Sequence, residues 1–172
     1  MNKIENKTVR IKIAQKAFKK LTMLNINACL EYEKGKAKYA EDVIYIELFP
    51  MTPQKTYDSK NKISMKYNSF ELRGLAVALK ELFQKKETSY VKHTDPSLSS
   101  SSGNKKTLSI STRNSTLFSI NIAVKGATGI FIEFDKYEII SLAQCIEKIA
   151  DEVDTFHYNY QQYIDKQLRS KK

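Results

Sequence analysis

The sequence has few of the residues that interrupt regular structure or build catalytic sites. It contains no tryptophan, five glycines, three prolines and two histidines in 172 residues. So few chain-breaking residues predict that strands and helices cover most of the chain. His93 and His157 have no companion at a metal-ligand spacing, and there is no phosphate-cradling glycine-rich loop. We therefore expect a non-enzymatic protein without cofactors, although a nuclease with carboxylates scattered along the sequence stays an alternative.

Cysteines and long apolar runs are scarce as well. Cys29 and Cys145 lie in apolar stretches without a partner motif, which predicts reduced core thiols and no disulfide scaffold. No segment approaches the roughly 18 apolar residues of a membrane span. Residues 1–7 lack the apolar segment of a signal peptide. The expectation is an intracellular protein, cytoplasmic or nucleoid-associated, that does not contact a membrane.

Positive charge is in excess. The chain has 29 Lys and Arg against 19 Asp and Glu, a net charge of +10, and a pI of about 9.4. This balance favours polyanionic partners such as DNA, RNA or an anionic membrane surface. A lysine-rich composition that serves only solubility is the alternative.

An internal repeat organises the chain. Residues 63–67 alternate apolar and polar side chains, as half-buried strands do, and the apolar spacing then becomes helical. Asn68 and Glu71 form a capping-box pattern at the change. The same strand, cap and helix return 67 residues later, where Asp135 and Glu138 are the capping pair. The chain is therefore predicted to contain two structural repeats.

Alternating apolar residues upstream of each helix predict the remaining strands. They lie at Val9–Ile13, Ala28–Tyr32 and Ile44–Leu48 in the first repeat, and at Tyr90–His93, Leu108–Ile110 and Phe118–Val124 in the second. The fold class is therefore α+β, with two β-β-β-β-α repeats.

The repeats are expected to form one domain, residues 1–156. They span about 8–86 and 88–156, with a flexible loop at Asp95–Gly103. Residues 157–172 form a basic C-terminal extension with a helical apolar stripe. That extension is either continuous with the preceding helix or separated from it by a break near Thr155.

Assigning the alternating apolar residues to the core leaves basic and hydroxyl side chains on the opposite strand faces. Such side chains contact phosphates, and exposed aromatic rings stack on the bases of single strands. The candidate nucleic-acid-binding residues are Arg10, Lys12, Lys16, Lys34, Lys36, Lys38, Tyr39, Tyr45, Lys66, Lys105, Lys106 and Arg113. Thr107, Ser109 and Ser111 are expected to face outward beside Arg113, and Phe131 is a further exposed aromatic. For any one of these residues, a solvated surface position is the alternative.

Several short motifs between residues 26 and 156 occur in the order of one known family. One run of motifs resembles the Whirly order of apolar strand, proline, Tyr-Asp, strand and helix. It consists of Leu48-Phe49-Pro50, then Lys55–Asp58, then the strand leading into Phe70-Glu71-Leu72. His93–Pro96 is similar to the His-Asp-Pro of that family with one inserted Thr. Lys105–Ile110 is similar to the basic start of its next strand. The chain thus resembles the Whirly family of single-stranded DNA-binding proteins.

The signature strand of that family, Lys-Gly-Lys-Ala-Ala-Leu-Ser, has two candidate counterparts. Lys34–Ala37 matches its first half, but Lys38–Ala40 departs from the second half. Ala14–Phe18 is the competing segment and places Lys16 at the second lysine. Both assignments stay open.

The resemblance implies an architecture and an assembly. It implies two antiparallel four-stranded sheets packed across each other with helices at one end, a homotetramer formed through the helices, and single strands bound along the sheet edges. The apolar helix stripes, which include Leu79 and Ile146, are interpreted as oligomer contacts, with a monomer core as the alternative.

The resulting hypothesis is a sequence-tolerant single-stranded DNA-binding protein. It would coat, protect or remodel exposed strands in recombination, replication or repair. The alternatives are an RNA-binding or RNA-annealing protein on the same fold, and a non-nucleic-acid interaction protein whose basic charge is incidental.

Overall fold

The fold consists of two four-stranded antiparallel sheets, each followed by a helix. The computed structural model describes residues 8–94, 105–113 and 116–170. The first repeat contains β1 (Thr8–Lys19), β2 (Thr22–Glu33), a 3₁₀ turn (Ala37–Tyr39), β3 (Glu41–Pro50), β4 (Ile63–Tyr67) and α1 (Ser69–Lys85). The second contains β5 (Val91–His93), β6 (Lys106–Arg113), β7 (Leu117–Val124), β8 (Ile130–Phe134) and α2 (Lys136–Arg169). The predicted fold class is confirmed, while the expected loop Asp95–Gly103 lies outside the described residues.

Both helices begin at the predicted capping boxes. The side chain of Asn68 accepts from the backbone N–H of Glu71, and the Glu71 carboxylate accepts from the backbone N–H of Asn68. Asp135 and Glu138 make the same reciprocal pair at the start of α2. Each cap satisfies N–H groups that have no partner within the helix, and this contributes about 1 kcal/mol. None of the helices in the described ranges combines the length and apolarity needed to cross a membrane.

The two helices pack side by side in antiparallel directions. Arg73 of α1 forms ion pairs of 2.7 Å with Asp151 and Asp154 of α2. Further along α1, Lys80 lies 2.6 Å from Glu147, the residue 67 positions later. Lys80 and Glu147 are therefore equivalent positions of the two repeats in direct contact. An approximate twofold axis relating the repeats thus passes between the helices at this pair.

One hydrophobic core joins both sheets and both helices. The sheets contribute their inner faces, and the helices contribute the apolar stripes seen in the sequence. Leu79 is fully buried and Ile146 is 1% exposed. The same holds along the rest of both stripes: Leu72, Leu75, Leu82, Leu142, Ile149 and Val153 are all buried. The interpretation of these stripes as oligomer contacts is wrong, because the two sheets and the neighbouring helix of the same chain already cover them.

Helix α2 continues well beyond the second repeat without a break. Val153 is its last buried residue among those described. Beyond it, Tyr160 stacks on Tyr32 of β2 with ring centroids 6.2 Å apart, and His157 Nδ1 lies 4.0 Å from Asp42 Oδ1 of β3. The expected basic extension is therefore a helical continuation that lies against the first sheet.

Deleting residues 156–172 is expected to leave a folded, soluble protein with altered nucleic-acid affinity. The deleted part of α2 that the structure describes contains no fully buried side chain, so the core keeps all its large members. Circular dichroism and a thermal melt of the truncated chain check the fold, and a binding titration checks the affinity. An insoluble truncation would show that the contacts of residues 156–172 with the first sheet, such as the Tyr32–Tyr160 stack, are required for folding.

Candidate nucleic-acid interface

A β-bulge decides which side chains of β1 face outward. The register with β2 shifts between Lys12 and Ala14, so the alternation of inward and outward side chains reverses there. Arg10 and Lys12 face outward as expected. Lys16 was expected on that face, but it is paired with the core residue Ile26 and lies on the side facing α2. Burial raises the pKa of the nearby Cys145 thiol, and the positive charge of Lys16 partly offsets this rise.

The outer face of the first sheet carries a charge cluster around Glu31. Arg10 Nε lies 2.5 Å from the Glu31 carboxylate, and Lys66 Nζ lies 3.9 Å from it. The Tyr45 hydroxyl donates to Glu31 over 2.8 Å, while the Arg10 guanidinium lies 5.4 Å above the Tyr45 ring. Burial, reinforced by the Glu31 contact, raises the pKa of Tyr45 to about 12. Tyr45 was expected to be exposed, but it is half-buried, because its ring contacts Arg10 and its hydroxyl contacts Glu31.

A second carboxylate lies at the centre of the same face. Glu47 is 7% exposed. It accepts from Asn25 Nδ2 over 2.7 Å and from Lys62 Nζ over 2.5 Å. Gln15 donates to Asn25 over 3.0 Å and in turn accepts from Lys12. Both central carboxylates of this face are therefore paired with nearby cations.

The outer face of the second sheet has a different chemistry. Strand pairing places Val91, Ser109, Asn121 and Phe131 in one row across the four strands. The other outward side chains of these strands are His93, Thr107, Ser111, Arg113, Leu117, Ser119, Ala123 and Glu133. The outward positions predicted for Thr107, Ser109, Ser111 and Arg113 are confirmed. This face, which we call the hydroxyl face, carries a single acid among its described residues, Glu133, which lies 3.6 Å from Arg113.

Basic residues lie at both ends of the hydroxyl face. Arg113 is exposed at the end of β6. At the opposite end, exposed Lys105 and Lys125 are joined by a backbone hydrogen bond of 2.9 Å. Lys106 was expected to belong to this group, but its Nζ donates over 2.9 Å to the backbone carbonyl of Ser64 on β4. Lys106 therefore links the two sheets and does not face the surface with its neighbour.

An open apolar groove of about 540 Å³ borders the hydroxyl face. It is lined by Lys20, Leu21, Thr22, Pro50, Leu117, Gly129, Ile130, Phe131, Ile132 and Glu133. Leu21 is 83% exposed and Phe131 is 52% exposed, so both present apolar surface to solvent. A Cβ on Gly129 would come within 2.7 Å of Asn121 Oδ1 and 3.2 Å of the Ile122 carbonyl oxygen, so a larger residue at this position would displace the Asn121 side chain. Leu21 was not predicted as a site residue, because its one local signal is an apolar residue in a tight turn between two strands.

The remaining candidates lie in the turn between β2 and β3. Gly35 adopts a φ of +88°, a conformation that favours glycine in turns. Lys36 pairs with Glu33 at 2.5 Å, and Lys34 and Lys38 are exposed. Tyr39 is 64% exposed, with Lys38 Nζ 4.9 Å above its ring.

The two candidate signature segments lie in different structures. Lys34–Ala37 belongs to the β2–β3 turn, whereas Ala14–Phe18 lies on β1. Of the two, Ala14–Phe18 is therefore the one in a strand. Within the described ranges, no three His, Cys, Asp or Glu side chains are placed to share a metal ion.

Two crossed four-stranded sheets around one core, each followed by a helix, define a protein with the Whirly fold. The chain is similar to the structure of WHY1 from Arabidopsis thaliana, with a TM-score of 0.61 and 14% identity over 93% of this chain and 95% of that one. The chain is also similar to the structure of the plant transcriptional regulator PBF-2, with a TM-score of 0.60 and 14% identity over 87% of this chain and 95% of that one. For the structure of WHY3 from Arabidopsis thaliana, the TM-score is 0.61 and the identity is 12% over 88% of this chain and 92% of that one. No protein-family profile and no curated protein sequence matches the chain.

Proposed function

We propose that this chain is a non-enzymatic, sequence-tolerant binder of single-stranded DNA. The observation that carries the proposal is the hydroxyl face. Serine, threonine and asparagine side chains there donate to phosphate oxygens, and Lys105, Lys125 and Arg113 at its ends contribute positive charge. Phe131 at its edge offers a ring on which an unpaired base stacks. Bases within a duplex are already stacked and paired, so this arrangement favours single strands.

The first sheet contributes mainly through its electrostatic field. Arg10 and Lys66 are held by Glu31, so a phosphate would have to compete with that carboxylate for them. The net charge of +10 still attracts a polyanion to the whole surface. The sequence resemblance to Whirly single-strand binders supports the choice of single strands. A shared fold with a protein named as a transcriptional regulator, PBF-2, supports a nucleic-acid partner.

The proposed role is to coat, protect or remodel strands exposed during recombination, replication or repair. The proposed place of action is the cytoplasm or nucleoid. In support, Cys29 and Cys145 are free thiols in the structure, one buried and one half-buried, as suits a reducing compartment.

Binding of a single-stranded oligonucleotide is expected to weaken with salt. The log–log slope should be about −0.7 for each phosphate contacted, because each contact releases condensed counterions. Lys105→Ala should reduce the slope by about 0.7 and weaken all sequences alike. Lys60→Ala, which removes the same charge from an exposed loop outside both sheets, is the matched control. Fluorescence anisotropy at several salt concentrations measures both effects, and binding that is absent or independent of salt would contradict the proposal.

We also propose that the chain forms a homotetramer through the outward sides of its helices. In support, α1 exposes Phe70 to 82% and Val77 to 61%, seven positions apart on one face. Tyr137, the repeat counterpart of Phe70 on α2, is 71% exposed. Light scattering at micromolar concentration should report about four times the chain mass of 19.8 kDa. A monomer under these conditions would contradict the assembly while leaving strand binding unaffected.

A further inference from the structure

A second groove, away from the hydroxyl face, lies between the β2–β3 turn and the end of α2. Its volume is about 280 Å³. It is lined by Gly35, Lys36, Ala37, Lys38, Tyr39, Ile164, Gln167 and Leu168. We call it the turn–helix groove. Two segments more than a hundred residues apart in sequence build it, so no local motif indicates it.

The turn–helix groove exists because the two repeats differ in helix length. Lys85, the last residue of α1, corresponds to Glu152 of α2, yet α2 continues to Arg169. The stack of Tyr160 on Tyr32 holds this continuation against the first sheet. The last turns of α2 thereby come beside the β2–β3 turn. Helix α1, which ends at Lys85, has no such continuation.

The lining combines an aromatic ring, apolar side chains and lysines. Tyr39 and Leu168 are 64% and 48% exposed, so their apolar surfaces are accessible. None of the lining residues is acidic, and the last turn of α2 adds Lys166 and Arg169 to the local positive charge. Among the described residues, the carboxylate bound to a lining lysine is Glu33. It forms an exposed pair with Lys36, and such a pair competes weakly with another anion.

We propose that the turn–helix groove binds one nucleotide of a single strand, with the base on Tyr39 and the phosphate at Lys36 and Lys38. The ring and the apolar floor match a base, and the lysines match the adjoining phosphate. The Lys38 ammonium now lies 4.9 Å above the Tyr39 ring. A base that stacks on the Tyr39 ring would displace the Lys38 ammonium, which is then free to contact the phosphate. An acidic peptide would use the lysines but would leave the ring without a partner. The inference rests on the proposed function and adds a contact separate from the hydroxyl face.

Photocrosslinking tests the position of the base directly. The full chain is irradiated with an oligodeoxynucleotide carrying 5-iodouracil, and the crosslinked peptides are identified by mass spectrometry. We expect a crosslink at Tyr39. Tyr39→Ala should weaken binding of the oligonucleotide by about fivefold or more, as loss of one base stack does. Tyr158→Ala, which removes an equally exposed ring (67%) on α2 outside the groove, should leave the affinity unchanged.

A charge-matched pair of variants tests the helix side of the groove. Leu168→Glu puts a carboxylate into the lining and should weaken oligonucleotide binding, whereas Gln162→Glu, exposed on the same helix outside the lining, should have a smaller effect. The inference is overturned, and the proposed function stands, if three results are found together: the wild type binds the oligonucleotide, Tyr39 is not crosslinked, and Tyr39→Ala binds normally. If the wild type binds no oligonucleotide, the proposed function fails. If a hexaglutamate peptide binds and Leu168→Glu weakens that binding alone, the groove is an acidic-peptide site and the inference is overturned.

Discussion

Replacing Ile146 by glutamate is expected to unfold the protein. The Ile146 side chain is 1% exposed within the core that joins both sheets and both helices. A carboxylate there would be buried without a partner, a change that costs about 4 kcal/mol or more. Such a cost is a large part of the total stability of a domain of this size. Circular dichroism should show loss of secondary structure, or a thermal melt should show a much lower midpoint.

Gln144→Glu is the matched control for this change. Gln144 lies on the same helix and is exposed, so it introduces the same charge without burying it. Leu79→Glu at the corresponding stripe of α1 should behave like Ile146→Glu, because Leu79 is also fully buried. A folded variant with an unchanged melting midpoint after either core substitution would contradict the burial of these side chains in the core.

Phe131→Ala is expected to weaken binding of single-stranded DNA by about 1–3 kcal/mol, the value of one base stack. The salt slope should not change, because no charge is removed. The gap between single-stranded and duplex affinity should narrow, since paired bases cannot stack on the protein. Anisotropy titrations with a single-stranded and a duplex oligonucleotide at one salt concentration measure these effects.

The fold should tolerate the Phe131 substitution, because the ring is 52% exposed and lies outside the buried core. Tyr158→Ala removes a comparably exposed ring from α2 and should leave the affinity unchanged. Normal binding by the Phe131 variant would show that this ring packs β8 and does not stack on a base.

The repeat architecture was predictable because its signals are local. Alternation in the strand before each helix and the two capping boxes each depend on a few neighbouring residues. The bulge in β1 left no such signal. The bulge places Ile13 and Ala14 on the same side of the sheet. Because both residues are apolar, the sequence does not show which face of the sheet each one occupies. Lys16 was therefore assigned to the wrong face.

The expected exposure of Tyr45 and Lys106 differs from the structure for another reason. Tyr45 is covered by Arg10, 35 residues away in sequence, and Lys106 donates to Ser64, 42 residues away. Such contacts depend on strand register and on how the two sheets cross, and neither follows from periodicity. The helix stripes are a related case. Their spacing predicts an apolar face but does not say whether the same chain or another copy covers it.

A direct titration tests the proposed preference of the protein for single strands. Wild-type protein is titrated with a single-stranded oligodeoxynucleotide, the duplex of the same sequence and the corresponding RNA at two salt concentrations. We expect the single-stranded DNA to bind more tightly than the duplex at both salt concentrations, with affinity falling as salt rises. If the RNA binds more tightly than the single-stranded DNA, the proposed partner becomes RNA, while the fold and the proposed hydroxyl face are unaffected. Tighter binding of the duplex at both salt concentrations would contradict the account.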